Sequence, residues 1–150
     1  MKQNEMTLII SALPINEGFA RSAVAAFCAR LNPTVEEIGD IKTAVSEAVT
    51  NSIVHAYEYH NGDIKIYVIV NNNNITIEIT DYGKGMKDVT AAMQPFFTTG
   101  PMDERSGMGF TVMEAFMDEL TVKSELGVGT IVKMKKYLKS LNSENANART

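Results

Sequence analysis

Three clusters of residues in this 150-residue chain have types and spacings suited to phosphate chemistry. The first is SEAVTNSIVHAY, residues 46 to 57, in which Glu47, Asn51 and His55 recur every fourth residue. On a helix that spacing puts them in one stripe, away from Val45, Val49 and Ile53. Asn51 offers a side-chain amide oxygen, a hard donor of the kind Mg2+ accepts beside water and phosphate oxygens. Glu47, one turn earlier, is placed to take a proton from an attacking hydroxyl. Taken alone, such a stripe reads first as a solvated polar face. Its setting in an Ala-, Val- and Ile-rich helix argues for more, as does an Asn, a poor helix former, within it.

The second cluster is DYGKGM, residues 81 to 86. Asp81 at a strand end can accept a charge-assisted hydrogen bond from an amino group such as that of adenine. Gly83 and Gly85 allow positive φ and close approach of a ligand to the backbone. Tight turns use the same residues, so Asp-x-Gly-x-Gly alone is not specific. The third is RSGMGF, residues 105 to 110. There the N–H groups of Gly107, Met108 and Gly109 can face phosphates with the help of the helix dipole. A plain glycine-containing helix start would look the same. Gly127-x-Gly129-Thr130 reads either as a hairpin turn or as a place from which Thr130 reaches a ligand, and His60 as a solvent-exposed residue at a helix end.

These clusters need elements to position them. Met6 to Leu13 reads as a strand, and Asn16 as the cap of a helix running to Leu31. Thr34 and Glu37 form a capping-box signature for a second helix, which carries Glu47 and ends between Tyr57 and Asn61. Ile64 to Val70 and Ile75 to Thr80 are β-branched strands joined by a turn at Asn71 to Asn74, and the second of them delivers Asp81. Residues 86 to 106 read as a short helix followed by an irregular segment, QPFFTTGPMDERS, of the length of a functional lid. Gly107 to Phe116 is the last helix. Leu120 to Ser124 and Thr130 to Tyr137 form a closing hairpin. The order predicts a two-layer α/β sandwich, with a mixed, largely antiparallel sheet and the helices on one face. One domain over residues 1–139 is expected, with a disordered polar tail at 140–150.

Composition narrows the classes. A net charge of -4 argues against broad nucleic-acid binding, which needs a basic face. The one basic cluster, Lys133, Lys135, Lys136 and Lys139, is expected on the solvent face of the final strand. The nine Met residues read as gap-fillers in the core. The lone Cys28 excludes an internal disulfide framework, and no signal peptide or membrane span is recognised, so a cytoplasmic location is expected. A P-loop motif is missing, as are a Gly-x-Gly-x-x-Gly after a first strand and any Cys/His cluster with zinc spacing.

In this order and spacing the clusters resemble the ATP-binding superfamily of DNA gyrase, Hsp90, histidine kinases and MutL, whose fold is of the Bergerat type. Glu47 and Asn51 match its N box, Asp81, Gly83 and Gly85 its G1 box, and Gly107 and Gly109 its G2 box. The segments NEMTLIISA, SEAVTNSIVHAY and QPFFTTGPMDERSGMGFTVMEAFMDE narrow the likeness to the anti-sigma-F family of spore-forming bacteria. That resemblance implies a cytoplasmic homodimer that binds sigma-F in the presence of ATP and keeps it from RNA polymerase. It also implies a Mg2+-dependent protein serine kinase that phosphorylates and inactivates an anti-anti-sigma factor, controlling sporulation transcription.

Residue by residue, the resemblance makes Glu47 the catalytic base and Asn51 the magnesium ligand. Asp81 reads adenine, supported by Gly83 and Gly85, and His55, Met86 and Thr130 belong to the nucleotide site. Thr98, Thr99, Ser106, Gly107, Met108 and Gly109 surround the phosphates, and Arg21 on the first helix contacts a protein partner. Arg105 meets either phosphate or partner. Gly100 stands where a lid Lys is expected, and Ala56 replaces the usual Gly after the N-box His. Alternatives are a stress-response anti-sigma kinase, an ATP-gated sigma-binding module without catalysis, and a detached histidine kinase domain. Glu47 weighs against the second, since Asn51 alone would serve for magnesium. The third would need an upstream acceptor His, and none precedes Ser46.

Overall fold

Alternating burial along the strands decides the architecture. In β2 (Asp63–Asn71) Ile64, Ile66, Val68 and Val70 are buried, and in β3 (Asn74–Asp81) so are Ile75, Ile77 and Ile79. A strand with this two-residue period buries one face, and the buried face must be covered by another layer. The computed structural model describes residues 3–94 and 109–139, and supplies that layer from helices.

The remaining elements are β1 (Asn4–Ser11), α1 (Asn16–Cys28), which runs on into a 3-10 turn (Ala29–Leu31), α2 (Val35–Asn51) with a turn after it, α3 (Val89–Ala92), α4 (Gly109–Phe116), β4 (Glu119–Glu125) and β5 (Gly129–Tyr137). The five strands form one sheet in the order β1-β2-β3-β5-β4. All four pairings are antiparallel, so the sheet carries no parallel pair among the described residues. The register pairs Asp81 with Ile64 on one side and with Thr130 on the other, which brings the hairpin threonine beside the strand-end aspartate. Val24, Ile41, Val45, Val49 and Met113 come from the helices to meet the sheet. Met113 and Met134 are fully buried and Met117 nearly so, which places these methionines in the core.

Helix ends follow local chemistry, with one difference from expectation at a helix start and one on a strand. The capping box forms: Thr34 Oγ1 accepts from Glu37 N–H at 3.0 Å, and Glu37 Oε1 accepts from Thr34 N–H at 2.9 Å. Glu37 also uses Oε2, accepting from Lys139 N–H at 2.9 Å, so the cap ties α2 to the residue two beyond β5. Asn16, in contrast, is not the α1 cap; that position falls to Ile15, and Asn16 Nδ2 donates to Ser11 O at 2.9 Å across the turn. Lys136 also departs from the expected solvent face. The strand period turns it inward, 8% exposed, toward the helices, while Lys133 faces out. Cys28 is fully buried, and burial pushes its thiol up to about 12, so it stays protonated and unreactive. Residues 140–150, expected as a tail, lie outside the described residues, as does most of the expected lid.

Thr34→Ala removes one half of the reciprocal cap. It is expected to cost about 1 kcal/mol in urea denaturation, with the slope of the transition unchanged.

Candidate functional site

Helix α2 does not stop at Asn51 but widens into a π turn, Ser52–Ala56, closed by Tyr57 N–H to Ser52 O at 3.0 Å. Sequence periodicity predicted a plain helix here. Ala48, Asn51, Ser52, His55 and Ala56, at the i, i+3, i+4, i+7, i+8 spacing of one helix face, line one cavity. Asn51 and His55 thus face a pocket rather than open solvent.

The turn after β3 is pressed against this π turn. Lys84 N–H donates to Ala56 O at 3.0 Å, and Gly127 N–H donates to Lys84 O at 2.6 Å. Tyr82 N–H donates to the Tyr57 hydroxyl at 2.7 Å, and that hydroxyl donates on to Asp63 O. The two glycines answer different demands. A Cβ on Gly83 would lie 2.4 Å from Ala56 O, so Gly83 serves close approach with no need of positive φ. Gly85 has φ 70°, and a Cβ there would lie 2.0 Å from Glu125 O.

Asp81 ends β3 and is 5% exposed. Its Oδ1 accepts from Gly83 N–H at 3.0 Å and its Oδ2 from Ser52 Oγ at 3.2 Å. Desolvation raises its pKa above the ordinary aspartate value; the bonds from Gly83 N–H, Ser52 and the Thr130 backbone oppose the shift without cancelling it. Beside it, Thr130 Oγ1 and Ser124 Oγ share a hydrogen bond at 2.8 Å, and Ser124 Oγ accepts from Met86 N–H at 2.8 Å. Thr130 is therefore part of the site wall and not merely of a hairpin.

The cavity holds about 400 Å3, the size of a small-molecule site. Its polar floor is Asp81 with Ser52 and Thr130. Gly85 and Met86 form one side and Gly109 and Phe110 of α4 another, while Lys84 (paired with Glu58 at 3.3 Å), Lys87 and Asp88 are exposed at the mouth. Gly109 packs on Asn51: a Cβ there would sit 2.9 Å from Asn51 Nδ2. A buried carboxylate at the floor of a largely apolar slot suits a flat heterocycle presenting an amino group. Among the described residues no group of three or more His, Cys, Asp and Glu could hold a metal ion. A divalent cation here would rest on an amide oxygen such as that of Asn51, with the rest of its shell from the ligand and water.

Other expected residues fall elsewhere. Glu47 is half-buried one turn before Asn51 and does not line the cavity. Arg21 lies on α1, partly exposed, and pairs with Glu17 at 3.0 Å; Glu17 also accepts from Ser46 Oγ. Thr98, Thr99, Gly100, Arg105, Ser106, Gly107 and Met108 lie outside the described residues.

Comparison with known proteins agrees with this geometry. The histidine kinase-like ATPase domain family matches residues 10–136. The anti-sigma F factor of Caldanaerobacter subterraneus subsp. tengcongensis is 59% identical, over 90% of this chain and 94% of its own. That of Clostridium botulinum is 56% identical, over 95% and 100%. The chain belongs to the anti-sigma F factor family of histidine kinase-like ATPase domains. The fold of this family recurs in solved structures at low identity. The RsbU and RsbW domains of a Mycobacterium tuberculosis protein share it at 18% identity and TM-score 0.66 over 90% of this chain. This chain spans about a third of that longer protein, 32%. The mycobacterial sensor histidine kinase MprB shares it at 12% identity and TM-score 0.57, over 89% of this chain and 99% of its own.

Sequence reasoning about this family member passed over Ser52, Lys84, Lys87 and the Tyr57 clamp. Ser52 did carry a signal, because a hydroxyl among core positions needs an acceptor. Nothing local marks Lys84, Lys87 or Tyr57, which reach the site through the turn.

Two outcomes follow from the geometry. Gly83→Ala forces its methyl into the Ala56 carbonyl and is expected to cost about 1–3 kcal/mol in urea denaturation. Asp81→Asn is expected to leave the fold at least as stable as the parent at neutral pH. The folded pKa of Asp81 is raised, so its contribution is present below the unfolded value near 3.8 and lost as pH rises through the folded one. The stability gap between parent and variant should therefore close as pH falls toward 3.8. A gap that widened on acidification would contradict this environment for Asp81.

Proposed function

We propose that this chain binds ATP with Mg2+ in the cavity, holds a sigma factor of the F type away from RNA polymerase, and phosphorylates a serine of an anti-anti-sigma protein. The observation that carries the reading is the buried Asp81 carboxylate at the cavity floor, in a chain 56% to 59% identical to anti-sigma F factors. Adenine presents an amino donor where guanine presents a carbonyl acceptor, and a buried carboxylate favours the donor.

Asn51 would hold Mg2+ through its side-chain oxygen, and the metal when bound offsets phosphate charge. The Lys84 and Lys87 ammonium groups stand at the mouth, with Glu58 and Asp88 beside them. Glu47 orients the incoming serine and takes the proton of its hydroxyl as the new oxygen–phosphorus bond forms and ADP leaves. A base for a protein hydroxyl must be reachable by that protein, and a half-buried Glu47 outside the cavity lining meets this need better than one sealed inside. Thr98, Thr99, Ser106, Gly107 and Met108 complete the phosphate site in this reading. Arg21, on the exposed side of α1, contacts the partner proteins. The active form is a homodimer of domains spanning 1–139, with 140–150 as a tail, working in the cytoplasm and serving sporulation.

Glu47→Gln separates catalysis from binding. Phosphorylation of the anti-anti-sigma protein, followed with labelled ATP, should fall by about 10²- to 10⁴-fold. Binding of ATP and of the sigma factor, measured by calorimetry and pull-down, should stay close to the parent's. Normal phosphorylation by the variant would remove Glu47 as the base. Failure of the parent itself to phosphorylate would favour an ATP-gated binding module.

A further inference from the structure

Lys136 is the buried cation that the site as described does not use. Its Nζ lies 3.2 Å from Asp40 Oδ2 on α2 and donates to the Phe116 carbonyl, the last of α4, at 2.8 Å. Burying an ammonium is costly, and a bridge of this kind is poor as a source of stability alone. It does tie three elements together at one atom.

We propose that Lys136 is a positioning residue for the nucleotide site. Helix α4 runs antiparallel to α2: its Phe116 end is held at Asp40, and its Gly109 end packs on Asn51 in the cavity wall. The chain just beyond α4 is anchored to β5 by Asp118, whose N–H donates to Lys135 O at 2.9 Å and whose Oδ2 accepts from Tyr137 N–H at 2.7 Å. Lys136 adds the bond that sets the last carbonyl of α4 against α2. Its stem rises from β5, in register with Ile75 of β3, and its charge complements both the Asp40 carboxylate and the negative C-terminal end of α4. Fixing the Phe116 end fixes where Gly109 and Phe110 meet Asn51. Apolar packing of α4 through Met113 is non-directional; the Lys136 bond to one carbonyl fixes the orientation of the helix end against α2.

The inference rests on the cavity being the ATP site, so the test begins with the parent. ATP with Mg2+ is titrated calorimetrically into the parent, Lys136→Met, Asp40→Asn and the double variant D40L/K136M, at a temperature where circular dichroism shows each folded. Lys136→Met is expected to bind ATP about tenfold more weakly. Asp40→Asn keeps the Lys136 bond to Phe116 and should bind within about threefold of the parent. The double variant leaves no unpaired buried charge and should recover the melting temperature but not the affinity. Recovery of affinity together with stability would make Lys136 merely structural and overturn the proposal, as would an Asp40→Asn loss equal to that of Lys136→Met. If Lys136→Met is too unstable to measure, the double variant and Asp40→Asn decide between these outcomes. No binding by the parent would instead overturn the ATP reading.

Discussion

A buried carboxylate governs this structure. Asp81 sits at the end of β3 with almost no access to solvent, and taking its charge out of water is unfavourable. The surroundings offset part of that cost with donors from three elements: Ser52 after α2, Gly83 in the following turn and Thr130 on β5. Each donor must therefore arrive with its element. The need to supply them accounts for much of what lies nearby, including the glycine that lets the turn touch Ala56 and the β3–β5 register that sets Thr130 opposite Asp81.

The π turn is the second consequence. The turn carries Ala56, whose carbonyl accepts from Lys84 N–H. With the turn widened, one helix end both donates to Asp81 and accepts from the loop that Asp81 begins. Tyr57 closes the arrangement through a single hydroxyl that accepts from Tyr82 and donates to Asp63. The result is a cavity side held by backbone hydrogen bonds and by the side chains of Ser52, Tyr57 and Asp81, which suits a site whose task is orientation. The facing wall comes from α4, held at its far end through Lys136.

Much of the fold was legible in the chain. β-branched residues at a two-residue period marked β2 and β3, and the Thr34–Glu37 pair marked the start of α2, because these signals act within a few residues. The two misreadings have different causes, one local and one long-range. Asn16 had a closer use for its amide, on the Ser11 carbonyl, than capping α1. Lys136 looked like part of a solvated lysine run, yet the strand period sends every second residue inward, and Asp40 and Phe116 waited there to receive its charge. Neither partner is near it in sequence.

By itself the sequence determined the element order, the sheet-and-helix layering and the identity of Asn51, Asp81, Gly83 and Gly85 as a group worth placing together. Local periodicity and residue chemistry carry that information. Only tertiary structure decided that Asn51 and His55 face a cavity, that Ser52 belongs to the Asp81 site, and that Gly83 and Gly85 answer different demands. Those facts depend on contacts between residues about thirty or more positions apart, such as Ser52 with Asp81 and Gly85 with Glu125. A hydrogen bond or a steric limit exists only once both partners are in place, and the chain's local pattern names one partner at a time.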